Sequence, residues 1–307
     1  MKTRYLIAAA AILATACSDN DQAPTAPSAN PSFATGDNGM HGKPEPHLFL
    51  RRGFARPNGG GSPNMTFHNG PVLPASKSMA IFWGSSWSTA SLAGDKISGL
   101  GDFFSGFGGS NFAGTNTEYA GTNGQVTKAM TYLGSTIDAS QPPSRALSTS
   151  AAVSEACKIT SNSPDPSAVY FIYTSTTAGH VNYCAWHSWG SCSNGAPVQV
   201  AYMPNIDGIA GCDPGGDLHG HSQGLAALAN VTAHELSEAI TDPRGSGWYD
   251  NSGAENADKC AWVFPSDVTL KNNTTWRAQG NWSNARYTAG TGYANLSGQK
   301  GCINGNQ

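Results

Sequence analysis

Apolar residues gather first in a short run, Tyr5 to Leu13. The chain then stays polar, proline- and glycine-rich until about Met65. Beyond that point the pattern becomes that of a folded domain. Ser78-Met79-Ala80-Ile81-Phe82-Trp83 reads as a buried strand closed by Gly84. Ser88 to Phe104 has helical period, weakened by its glycines. Ser148 to Thr160 predicts a second helix with Val153 and Cys157 on one face. Ala168 to Tyr173 is apolar throughout and rich in β-branched and aromatic residues, a strand signal. Val181–Trp186 and Val198–Tyr202 follow as further strands. Ser222 to Thr241 predicts the longest helix, with Leu225, Leu228, Val231, Leu236 and Ile240 on its buried side. It stops at Asp242, because the residue before Pro243 is pushed out of the α region. Strands followed by one long helix and a loop-rich C-terminal third predict an α+β fold. That fold is a single domain over residues 63–307 with a mixed central sheet.

The N-terminal run has the marks of an export signal. Lys2 and Arg4 supply positive charge, the apolar stretch is too short to span a bilayer, and Ala14-Thr15-Ala16 is a small-residue cleavage site. Residues 1–16 are therefore expected to be removed. Cleavage there leaves Cys17 first, the position at which bacterial lipoproteins are acylated; ordinary secretory cleavage at the same site is the alternative. Residues 17–62 read as a tether, since APTAPSANPS, HGKPEPH and PNGGGSP are all proline, glycine or small polar residues. The expected location is the cell envelope through a lipid anchor, or the extracellular space. Seven cysteines fit this picture. With Cys17 lipidated, Cys157, Cys184, Cys192, Cys212, Cys260 and Cys302 can form three disulfides in an oxidising compartment, in any of 15 pairings.

Charge narrows the function classes. Only 12% of residues are charged and the net charge is −3, so no basic face for nucleic acid is implied. A membrane is engaged only through the lipid. No G-x-S-x-G or phosphate-binding loop occurs, which leaves serine hydrolase and nucleotide readings without support.

The chemistry concentrates in TAHELSEAITDP, residues 232–243. On a helix His234 and Glu238 share a face one turn apart, as two ligands of one ion must. Glu235 lies beside them, placed to act as general base toward a water activated there. This H-E-x-x-E pattern is one residue away from the H-E-x-x-H of zinc peptidases and makes the helix zincin-like. The chain has six glutamates, and Glu235, Glu238 and Glu255 fall within 21 residues of one another. A third ligand is expected from Glu255, with Asp258 orienting His234 from behind the ligands; His219 and His221 are competing sources. The bland alternative is a polar helix face with a solvent-exposed histidine. Zn²⁺ is the expected ion. The carboxylate in place of a second imidazole weakens its Lewis acidity and widens the choice to other divalent ions.

Other candidates carry less. His68 before Asn-Gly reads as a turn residue. His187 beside Cys184 is a possible ligand, with a disulfide the better use of Cys184. Trp276, Trp282, Tyr287 and Tyr293 offer a sugar-stacking surface or, more simply, core.

Several stretches form an ordered set. Met65-Thr66-Phe67-His68-Asn69-Gly70-Pro71-Val72-Leu73 resembles the YHNGPVL-type opening motif of the EXORDIUM, or phosphate-induced, protein family. Ile81-Phe82-Trp83-Gly84 is similar to the strand that follows it there, and Cys184-Ala185-Trp186-His187 to its C-x-x-H element. Ala239 to Pro243, Gly247-Trp248-Tyr249, and Glu255 five residues before Cys260 complete the set. The resemblance implies export to a wall or extracellular space and no settled activity. Many plant members lack the His-Glu pair kept here at His234 and Glu235. Two functions are expected from these features. The first is a metal-dependent hydrolase acting on an extracellular peptide. The second is a non-catalytic surface module that binds wall polysaccharide or a protein.

Overall fold

A computed structural model describes residues 44–54 and 63–307; Cys17 and most of the expected tether lie outside the described residues. Six strands form the central sheet: β1 His47–Leu50, β2 Ser76–Trp83, β3 Met130–Asp138, β4 Ala168–Thr174, β5 Tyr183–Ser191 and β6 Pro197–Met203. Their spatial order is β1-β5-β6-β4-β2-β3. The run β6-β4-β2-β3 is parallel, whereas β5 is antiparallel to both β6 and β1. The fold is thus α+β around a mixed sheet, as the apolar pattern predicts. One expectation changes: β1 lies within the stretch read as tether. Proline and glycine on either side mask its four residues, and pairing of Leu48 with Trp186 gives them a place in the sheet.

Among the described residues three helices of more than two turns cover the sheet: α1 Lys96–Phe107, α2 Thr149–Ile159 and α3 Gln223–Thr241. The inner strands divide their residues between two cores. Phe82, Phe171, Tyr173, Ala201 and Met203 pack with α1 and α3, whereas Ile81, Tyr170, Ile172, Val200 and Tyr202 pack with α2. Burial on both faces at every position explains why β4 is apolar from Ala168 to Tyr173 rather than alternating. The predicted helix over 88–104 is broken, with a single turn at Ala90–Ala93 and α1 from Lys96. Gly94 between them sits at φ 49°, a conformation that favours glycine.

Both α2 and α3 begin at a serine whose hydroxyl accepts a backbone N–H three residues on, Ser148 from Ala151 and Ser222 from Leu225. Such caps stabilise a helix by about 1 kcal/mol. Helix α3 approaches α1 closely. A Cβ at Gly99 would come within 2.2 Å of the Leu225 side chain, so a larger residue there would have to displace it. At its C-terminus Asp242 accepts hydrogen bonds from the N–H groups of Ser246 (2.7 Å) and Gly247 (2.8 Å) and turns the chain.

Cysteines pair as Cys157–Cys192, Cys184–Cys212 and Cys260–Cys302. Disulfides of this kind mark an oxidising environment. Among the described residues no helix is long and apolar enough to cross a membrane.

Candidate metal centre

Helix α3 is buried along nearly its whole length, and its polar residues are buried with it. Glu235 and Glu238 are 0% exposed and His234 is 1% exposed; Glu255 (0%) and His187 (2%) join them from the chain after α3 and from β5. An ionised carboxylate taken out of water is costly unless paired. Here the carboxylates face imidazoles, in three overlapping groups.

The first group is His234, Glu238 and Asp258. His234 Nε2 lies 3.0 Å from Glu238 Oε1 and 3.7 Å from Asp258 Oδ1. Two ligands about 2.1 Å from one ion stand about 3.0 Å apart at a right angle and about 3.4 Å apart at a tetrahedral one. The spacing therefore suits a cation between them. The backbone N–H of Asp258 donates to Glu238 Oε1 (2.9 Å), which locks the turn after Glu255 onto α3. Cys260–Cys302 ties the same turn to a C-terminal strand.

The second group is His187, Glu235 and Glu238. His187 Nδ1 is 3.1 Å from Glu235 Oε2 and 3.6 Å from Glu238 Oε2. The third is His47, His187 and Glu255, with His187 Nε2 3.6 Å from Glu255 Oε2 and His47 paired to Glu255 Oε1. Buried His/Glu/Asp groups that can hold a metal ion are thus present, and Glu238 and His187 each belong to two of them. Burial raises the carboxyl of nearby Asp242 above its ordinary value, opposed by His47 and by the N–H groups of Gly247, Ser246 and Arg244.

Behind His234, Phe49 of β1 stacks on the imidazole with centroids 3.7 Å apart. Gln279 holds the other ring nitrogen: its Nε2 lies 2.9 Å from His234 Nδ1 and donates to Ala257 O, and its Oε1 accepts from the Trp262 N–H. With the amide nitrogen toward the ring, Nδ1 accepts and the ring proton sits on Nε2, facing Glu238. Ligation at Nε2 requires that proton on Nδ1 and the amide turned over, at the cost of its bonds to Ala257 O and from the Trp262 N–H.

These positions resolve the sequence candidates one by one. His234, Glu235 and Glu238 are together on the buried face of α3. Asp258, expected behind the ligands, offers an oxygen to the His234–Glu238 pair; Glu255, expected beside that pair, groups with His187 and His47. His219 is bound to Asp267 (2.8 Å), and His221 stacks on Trp276, so neither joins the three groups. His68 stacks on Tyr249 next to Asn69, which has φ 64°, a structural turn. Trp276 and Trp282 are core side chains, leaving no sugar platform made from them. Sequence reasoning missed His47, hidden in a proline-rich stretch. It underrated His187, whose signal is a buried histidine in mid-strand directly after the apolar run Cys184-Ala185-Trp186.

Comparison with protein families, curated proteins and solved structures finds no match. The resemblance to EXORDIUM proteins rests on its motifs alone, and the functional reading rests on the geometry.

Proposed function

We propose that the chain is an exported metal-dependent hydrolase. His234, Glu238 and Asp258 would hold one divalent ion, with Glu235 as general base and an extracellular peptide or related bond as substrate. The observation that carries this reading is the convergence of His234 Nε2, Glu238 Oε1 and Asp258 Oδ1 in a buried site beside a second glutamate. One imidazole and two carboxylates suit Zn²⁺ and also accommodate harder ions such as Mn²⁺. Once bound, the ion would supply a Lewis acid that polarises the bond under attack, more weakly than a site with two imidazoles. Glu235 takes the proton of the attacking water. His187 holds the Glu235 carboxylate at 3.1 Å and is steadied from its far side by Glu255. The three disulfides support export to an oxidising compartment, and lipid at Cys17 is a further part of the same proposal. Burial of Trp276 and Trp282 weighs against the alternative of a polysaccharide-binding module.

Elemental analysis of the purified chain tests the centre. One divalent ion per chain is expected, lost in His234→Ala; a metal-free wild type overturns the proposal. Glu235→Gln is expected to keep the ion and slow peptide hydrolysis by about 10²–10⁴-fold. Undiminished hydrolysis in that variant removes Glu235 as the base.

A further inference from the structure

A cavity of ≈ 250 Å³ adjoins the centre and shares a wall with it. Asp258 lines this cavity and faces His234 Nε2; Phe49 lines it and stacks on the His234 ring. We infer that this cavity, bounded by Phe49, Phe54, Trp262 and Leu296, is a subsite for one large apolar side chain of a peptide, next to the bond to be hydrolysed. Its place beside the reacting bond rests on the hydrolase reading. The choice of an apolar occupant rests on the cavity itself.

Four large apolar side chains are exposed among the described residues, and two of them, Phe54 (55%) and Leu296 (77%), stand at this one rim. The polar groups of the lining are turned toward each other. Asn295 Nδ2 donates to Gln299 Oε1, and Asn295 Oδ1 accepts from the N–H groups of Ser297 and Gln299. Ser252 Oγ (2.6 Å) and Lys259 Nζ (2.5 Å) both donate to Asp250. These bonds outweigh burial and hold the Asp250 carboxyl below its ordinary value. A sugar would need free hydrogen-bonding groups and an open aromatic face. The Trp262 ring offers neither: Phe49 lies nearly parallel to it at 4.6 Å, and the Arg52 guanidinium stands 5.3 Å over it.

Size agrees. A cavity of about 150 Å³ holds a benzene ring, and sites for drug-sized ligands begin near about 300 Å³. The space here takes one phenylalanine or leucine side chain. The wall is also built under strain. Trp262 adopts φ 61°, a left-handed conformation unusual for a bulky residue. It is kept there by its N–H to Gln279 Oε1 (3.0 Å) and its indole N–H to Leu50 O (2.9 Å). Gln279 Nε2 also lies 2.9 Å from His234 Nδ1, so one side chain touches both the cavity wall and the centre.

The test is calorimetric binding of the peptides Ac-Ala-Ala-Phe-Ala-Ala-NH₂ and Ac-Ala-Ala-Ser-Ala-Ala-NH₂ and of a chito-oligosaccharide to Glu235→Gln, which limits turnover. Metal content is measured on the same samples. The Phe peptide is expected to bind about tenfold or more tightly than the Ser peptide. Adding Leu296→Asp or Phe54→Asp, both at exposed positions, should erase that preference. Equal binding of the two peptides, a preference unchanged by both substitutions, or binding of the oligosaccharide alone overturns the inference. Metal-free protein that still prefers Phe would overturn the proposed function and leave the subsite standing.

Discussion

Helices α2 and α3 cover opposite faces of one sheet, and both start at a serine cap, yet they treat acidic residues differently. Glu155 of α2 is itself buried, at 3% exposure, with its cationic partner at the rim. It shares hydrogen bonds with Asp138 at the end of β3 and with Lys158, whose long side chain reaches out to solvent. Glu235 and Glu238 of α3 are enclosed on all sides and face histidines instead. Lysine at a rim keeps its charged end hydrated while pairing with a carboxylate. Inside, an imidazole can be neutral and can ligate, which ammonium cannot. The first arrangement is what a fold needs to finish a helix. The second is costly for a fold alone, and that difference is the argument for a metal.

The largest expected contrast comes from removing one acid on each helix. Glu238→Ala should cut metal retention by more than about 100-fold, beyond the loss typical for an outer partner. It should also cost about 3–5 kcal/mol in chemical denaturation, because imidazoles are left buried without their partner. Glu155→Ala should cost about 1 kcal/mol or less and leave metal content unchanged. Equal losses of stability with no change in metal would make both clusters structural. Next come the disulfides. Cys260→Ser/Cys302→Ser and Cys157→Ser/Cys192→Ser should each destabilise by about 3–4 kcal/mol, since they close loops of similar length. Only the first should also weaken metal retention, because it anchors the turn carrying Asp258. A smaller effect is expected at Gln279. Glu at this position accepts the Nδ1–H that ligation by His234 requires, so Gln279→Glu should tighten metal binding about tenfold, read by competition with a chelator. Looser binding at unchanged stability would count against ligation through Nε2, since the stability readout registers the cost of setting the second Glu oxygen against Ala257 O.

The two helices also differ in how far their roles are legible from sequence. Periodicity finds both, along with β2, β4 and β6, because alternation between two cores leaves continuous apolar runs. It misses β3, whose half-buried and exposed positions alternate at the sheet edge over a Gly-containing stretch, Met130 to Asp138. It misses β1, whose four residues carry too little signal against their flanks. For the centre, H-E-x-x-E gives the residues fixed by one helix. Its other members come from β1, β5 and the turn at Asp258, whose convergence depends on antiparallel pairing of β1 with β5 and on the Asp258 N–H to Glu238 contact. No spacing along the chain encodes those two contacts. The choice between Glu255 and Asp258 therefore depends on a turn in which the two acids stand three positions apart.

The smallest effect separates the helices by pH. Burial first, and then the hydrogen bond to Asp138, push the Glu155 carboxyl up to about 7 from an ordinary 4.5. Burial opposes ionisation of Asp138 as well, but hydrogen bonds from Glu155, Lys158 and Ser140 prevail and hold it far below its ordinary value. Asp138 is therefore ionised throughout the range from pH 5 to 8, and its contribution falls away only in strong acid. For Glu155 the folded chain binds the proton more tightly than the unfolded chain. Its contribution is full below about pH 4.5 and is lost as pH rises through about 7. Solvent screening limits the effect to the order of 1 kcal/mol, or about 2–4 °C in Tm. Glu155→Gln keeps an amide donor for Asp138 and removes the titration. Melting curves of Glu155→Gln should consequently lose the decline between pH 5 and 8 that the wild type owes to this group. A decline of the same size in both proteins would place its source elsewhere and remove Glu155 as the proton donor to Asp138.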